Sequence, residues 1–263
     1  MKFEKFGKYL AIATLLTTAA AATVVNVDAA EKDGGVYSSN GVVKFVPNTN
    51  GTDPIDPENP EEPANPTDPT DPEGPNEGTP GPLSIDFASS LDFGVNKISS
   101  KNETYYANAQ TYNDKDKVTA NYVQVSDNRG SSAGWSLKVK QEKQFENAEA
   151  KYSVLKGASI SISDSKAVSN SVDVEEPTVN KNLVLEPGTA VNVMDAAEGA
   201  GDGTWVSRFG NVEKVAVEQE DGSMKEMDKN TSVKLAVPGS TPKSAVEYHA
   251  SLTWILAEVA ANE

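Results

Sequence analysis

The 263-residue chain has no cysteine. That excludes disulfides, thiol nucleophiles, thiolate metal sites and lipid attachment through a cysteine. It has one histidine, His249, and no Gly-x-Ser-x-Gly elbow to supply a nucleophile, so His249 reads as a surface residue and the chain as non-enzymatic. Basic residues are scarce, 23 against 39 acidic ones, for a net charge of −16. Such a surface repels nucleic acid and anionic headgroups, and neither is expected as a partner. No P-loop, dinucleotide fingerprint or zinc spacing is present, and no cofactor or metal is expected. The acidic, Gly-rich stretch Asp195–Gly203 fits no calcium-loop spacing and reads as a solvated turn; Asn113–Asp116 reads the same way. Carboxylates fall mostly in turns and in one linker, which gives no support to a glycosidase pair.

What the chain does have begins with a processing signal. Lys2, Lys5 and Lys8 precede an apolar, Ala-rich run from Leu10 to Val25, and Val27-Asp28-Ala29 supplies the small residues of a cleavage site. Residues 1–29 are therefore expected to be a signal peptide, with export to the cell surface. No second apolar run follows and the last residues carry no Leu-Pro-x-Thr-Gly signal. The mature chain is expected to have no membrane span and no covalent anchor.

Residues 30–47 read as an N-terminal β segment, Val36 to Val46 flanking the turn at Ser39-Asn40-Gly41. Residues 48–82 form a Pro/Asp/Glu-rich linker. Pro54, Pro57, Pro60, Pro63, Pro66, Pro69, Pro72 and Pro75 recur every third residue. That period matches polyproline II, and the accompanying acidic residues repel one another, so an extended, solvated spacer is expected.

From Leu83 the composition changes. Short runs rich in Val, Ile, Tyr and Trp alternate with Gly, Asn, Asp and Ser. Expected strands are 83–93, 119–126, 133–140, 159–163, 183–185, 189–194, 205–209, 214–217, 232–236 and 245–256. Residues 140–151 fit a short polar helix or an extended connection. The fold class is all-β, a sandwich or barrel-like domain over 83–263 behind the linker.

Two of these runs carry a Trp and a Leu two residues apart: Trp135 with Leu137, and Trp254 with Leu256. Side chains alternate faces along a strand, so Trp135, Leu137 and Val139 share one face, and Leu252, Trp254 and Leu256 share another. Either both pairs are core, or the tryptophans form a sugar-stacking surface, or one is buried and the other sits at a rim. The residues alone leave these alternatives open.

Two such tripeptides at opposite ends of one domain stand with Pro82-Leu83-Ser84-Ile85-Asp86-Phe87, Leu91-Asp92-Phe93-Gly94, Val125-Ser126-Asp127-Asn128-Arg129-Gly130 and Val237-Pro238-Gly239. The whole resembles the WxL-domain surface proteins of Gram-positive bacteria, small type. The resemblance implies non-covalent binding to peptidoglycan, with Trp135, Leu137, Trp254 and Leu256 as the motif residues. It also implies assemblies with other WxL proteins and with a membrane-anchored, WxL-interacting partner. An alternative is a protein-interaction subunit held at the wall only indirectly, by that partner or by host matrix proteins through adhesion.

Overall fold

The structure, a computed structural model, describes residues 35–113 and 116–259. The expected signal peptide lies outside them, as do Asp114 and Lys115. The chain divides into two units, 1–44 and 45–263. In the first, the described residues Gly35–Lys44 carry no regular element and are all exposed. The strand segment expected over 36–46 does not form. A lone two-stranded unit has no second layer on which to bury its Val and Phe side chains.

The second unit contains fifteen strands and no helix among its described residues. The 140–151 connection is therefore extended and turn-like, not helical. Three antiparallel sheets carry the fold. The first is ordered β1 (Leu83–Ala88), β5 (Tyr122–Asp127), β12 (Gly203–Phe209), β8 (Ser165–Ser169). The second is β10 (Asn182–Leu185), β7 (Ser159–Ser163), β14 (Met224–Val237), β13 (Val212–Glu218), with β2 (Glu103–Asn108) also paired to β14. The third is β15 (Leu252–Glu258), β6 (Trp135–Gln141), β11 (Ala190–Ala196), β9 (Thr178–Val179). β3 (Gln110–Thr111) and β4 (Val118–Thr119) form a small separate ladder.

One core joins all three large sheets. It takes Val123, Val125, Trp205 and Phe209 from the first, Ile160, Ile162, Leu183, Leu185, Val233 and Leu235 from the second, and Trp135, Leu137, Val139, Val193 and Met194 from the third. Burial of these side chains removes apolar surface from water and is the dominant favourable term available to a cysteine-free chain.

The first sheet is covered on its other face too. Every residue of β5 is buried. Val123 and Val125 point into the main core, while Tyr122 packs with Phe87, Tyr112 and Val206 in a second cluster against Ile55 and Ala64. Ile55 and Ala64 belong to the Pro-rich segment. That segment is not a solvated spacer: it folds back as a strap. It reverses between Asp56 and Glu62, where Asp56 N–H donates to Glu62 O at 2.9 Å and Ala64 N–H donates to Pro54 O at 2.8 Å. Thr67 N–H then reaches Thr111 O at 2.9 Å, and Asp56 is buried in an ion pair with Lys117. The three-residue proline period describes a chain that lacks partners; here Ile55, Ala64 and Pro66 find an apolar face to cover.

The second cluster predicts a delayed alkaline titration. Burial pushes the Tyr112 phenol up to about 12, and burial raises that of Tyr122 as well. Both folded values lie above the unfolded value near 10, so the stabilisation is complete below about pH 10 and is lost as pH rises through about 12. Phenolate absorbance from these two of the eight tyrosines is expected to appear only with the loss of circular dichroism. Their titration in a still-folded chain would contradict this packing.

Candidate functional site

The two Trp-x-Leu pairs sit on adjacent antiparallel strands, the N-terminal one on β6 and the C-terminal one on β15. Leu137 stands opposite Leu256, Trp254 opposite Val139 and Trp135 opposite Glu258. The motifs thus mirror each other about the paired leucines, with one tryptophan towards each end. All four side chains face the core. This register explains their spacing: strand periodicity puts each Trp and Leu on one face, and the antiparallel pairing brings the two leucines into cross-strand contact.

The tryptophans are not equivalent. Trp135 is 0% exposed, as is Leu137. Its indole N–H donates to Gly201 O at 3.0 Å. Trp205, the third tryptophan, donates to the next carbonyl, Asp202 O, at 2.9 Å. The Asp195–Gly203 stretch is therefore no solvated turn; it is the loop that satisfies both buried indoles, an obligation any buried polar group carries. Gly201 has φ +74°, and a Cβ there would fall 2.9 Å from Trp135 Nε1 and 2.4 Å from Ala196 Cβ, so only glycine brings the carbonyl this close. Trp254 is half-buried and stacks on Phe209 of the first sheet, rings 6.4 Å apart and 8° from parallel. Leu256 is half-buried beside it.

The end of β15 is held by Arg129. Its guanidinium is bidentate on Asp127, with bonds of 2.9 and 2.7 Å, donates to Gly134 O at 2.9 Å and pairs with Glu258 at 3.0 Å. Hydrogen bonding to Asp127 raises its already high pKa further. One side chain thus ties the end of β5, the start of β6 and the end of β15. The Asp127–Gly130 turn before the first motif, legible in the sequence, owes its role to this clamp.

With Trp and Leu inward, the alternate residues face out. Lys138 lies opposite Ile255 and Lys140 opposite Thr253; Lys138, Thr253 and Ile255 are exposed. Lys140 pairs with Glu142 at 2.7 Å. Among the described residues β15 pairs with β6 alone and is an edge strand. His249 is exposed, 3.7 Å from Glu247. No cluster of three or more metal-ligating side chains occurs among the described residues, and no helix among them is long and apolar enough to cross a membrane. Sequence reasoning missed Phe209, Gly201 and the Arg129 clamp. Each lies in a stretch the sequence marks, Phe209 in the strand expected over 205–209, Gly201 in the acidic Gly-rich run and Arg129 in the Asp127–Gly130 turn, but none of those signals names its partner.

The family model described as WxL domain, surface cell wall-binding, matches residues 32–259. The match begins ahead of the strap and ends just after β15, so it spans both tripeptides and the Pro-rich segment. No curated protein and no solved structure matches the chain.

Proposed function

Because the chain belongs to the WxL-domain family and is a surface cell wall-binding protein, we propose that it attaches non-covalently to peptidoglycan after export. In this reading residues 1–29 are removed as a signal peptide. Trp135, Leu137, Trp254 and Leu256 serve binding by building the sheet that meets the wall, and contact falls to the outer face that this packing leaves free. The observation that carries the reading is the mirrored motif itself. Two tryptophans and two leucines lock the C-terminal strand against β6, and the result is an exposed face bearing Lys138, Thr253 and Ile255 in an otherwise acidic chain. Extended faces of this kind, with a cation and an apolar group beside a hydroxyl, suit a polymer of sugars and carboxylated peptides.

The unpaired outer edge of β15 favours a second reading. A free main-chain edge accepts a strand from another protein, which fits docking onto a membrane-anchored partner or a sister WxL protein, with adhesion to host matrix as a further role. Sedimentation of the purified secreted chain with isolated sacculi, without any protein partner, separates the two. Direct binding predicts that the chain pellets and that Lys138→Glu with Ile255→Ser weakens binding about tenfold, equivalent to about 1.4 kcal/mol. A chain that stays in the supernatant rules out direct wall binding and leaves the edge-docking reading in its place.

A further inference from the structure

Lys229 is the buried lysine of the chain's described residues, 5% exposed. It stands on β14 directly opposite Asn108 of β2, and its ammonium donates to Asn108 Oδ1 at 2.5 Å. Among the described residues it belongs to no ion pair within 4.0 Å. The Asn108 carboxamide is held from its other end: Nδ2 donates to Asp92 Oδ2 at 2.6 Å. Asp92 is itself fixed, with Oδ1 accepting from Gly94 N–H at 2.8 Å and its carbonyl accepting from Asn108 N–H at 2.7 Å. Lysine, asparagine and aspartate are thus aligned in that order, and neither end of the amide is free to rotate away.

Apolar residues adjoin Asp92 and Asn108 in sequence. Phe93, between Asp92 and Gly94, is buried against Phe145 in an edge-on contact at 6.2 Å; Ala107 and Ala109 flank Asn108 and are buried. Burial lowers the pKa of Lys229, with the Asp92 charge working against it.

We propose that Lys229 and Asn108 form an intramolecular isopeptide bond, with Asp92 as the proton carrier. With a C=O bond of about 1.23 Å, the 2.5 Å contact leaves Asn108 Cγ at most about 3.7 Å from Lys229 Nζ, close to attack distance. The desolvated lysine loses one proton to solvent and becomes a neutral nucleophile. Nζ adds to Cγ. The proton shed on addition passes to the Asp92 carboxylate, which returns it to Nδ2, the atom it already contacts. The Cγ–Nδ2 bond breaks, ammonia departs and takes up a proton from solvent, and a Nζ–Cγ amide remains. Lysine ammonium and carboxamide go in; secondary amide and ammonium ion come out, with no change of oxidation state and no co-reactant. Gly94, at φ +73°, passes over the pair: a Cβ there would sit 3.4 Å from Nζ and 3.9 Å from Nδ2. Its missing side chain leaves the departing ammonia a path. The bond would join positions 121 residues apart in a chain that cannot form a disulfide.

Intact mass spectrometry of the secreted chain tests this. The expected mass is lower than the mature sequence by one ammonia, about 17 Da. Tryptic mapping should find Asn108 and Lys229 in one branched peptide, with no cleavage after Lys229. Asp92→Asn and Lys229→Arg, each checked for native circular dichroism, should return to full mass. Full mass in the folded wild type overturns the proposal. So does a deficit that maps to Asn40-Gly41, where a succinimide loses the same ammonia.

Discussion

Trp135→Ala is expected to cost about 3–5 kcal/mol, the range for removing a fully buried large aromatic, and to leave much of the chain unfolded at physiological temperature. Marginal stabilities of about 5–15 kcal/mol leave little in reserve. Two costs combine. The indole fills a site with no exposure at all, and its loss leaves Gly201 O, brought close by a glycine-only conformation, without its donor. Trp254→Ala should cost less, about 1–3 kcal/mol, because half its burial and one aromatic stack are at stake. Trp254→Phe, which keeps the stack on Phe209, should be close to neutral. Thermal melts of the three variants decide the matter. Equal losses from Trp135→Ala and Trp254→Ala would show that the rim and the centre of the motif carry the same load, contrary to their burial. Gly201→Ala offers an independent check, since its Cβ would collide with the same indole; it should approach the Trp135→Ala loss without touching the tryptophan.

Much of the fold is legible in the sequence because β-strands write their burial at a period of two. β7 spans the expected 159–163, and β6, β10, β11, β12 and β13 lie within two residues of expectation. Besides the two-residue β3 and β9, the strands that fall outside every expected run are β2 and β8, which read Glu-Thr-Tyr-Tyr-Ala-Asn and Ser-Lys-Ala-Val-Ser. Their polar residues pair in ladders, not in the core, so hydrophobic alternation gives no signal. The last strand starts at Leu252, not Ala245, because the residues before it meet the irregular connection after β6 and form only an isolated bridge, Glu146 with His249. Inward placement of Trp135, Leu137, Trp254 and Leu256 follows from alternation, but their partners do not. Gly201 and Phe209 come from distant segments, Arg129 reaches from the turn before β6 to Glu258 at the far end of the chain, and nothing in the sequence says that an acidic loop will cap two indoles. The Pro-rich segment misleads for the opposite reason. Its local signal for extension is strong, yet three apolar side chains and one buried aspartate decide in favour of docking.

That docking rests on a polar device within the first sheet, and its loss should be large and local. Gln124, 0% exposed on β5, accepts from Ile55 N–H at 2.8 Å and donates to Asp53 O at 3.0 Å. Its amide also donates to Asp86 Oδ2 at 2.9 Å, where Ser126 donates at 2.6 Å, while Ser84 donates to Oδ1 at 2.7 Å. Gln124→Leu removes both main-chain bonds to the strap, a cost of about 2 kcal/mol. The strap should then open roughly 30-fold more often, read as faster hydrogen exchange at the Thr67 amide, which bonds to Thr111 and not to the mutated residue. Core amides such as that of Leu137 should keep their protection. The same network carries a pH signature. Burial raises the Asp86 pKa, opposed by the hydrogen bonds from Ser126, Ser84 and Gln124. A carboxyl with a raised folded value gives its full stability below the unfolded pKa and loses it as pH rises through the folded one. Mild acid should therefore slow exchange at Thr67 relative to the intrinsic rate, and Asp86→Asn, uncharged throughout, should abolish that response while keeping the strap closed. A strap that stays equally closed in Gln124→Leu, or one that loosens in mild acid, would show that apolar cover from Ile55 and Ala64 holds the segment without the polar network beneath it.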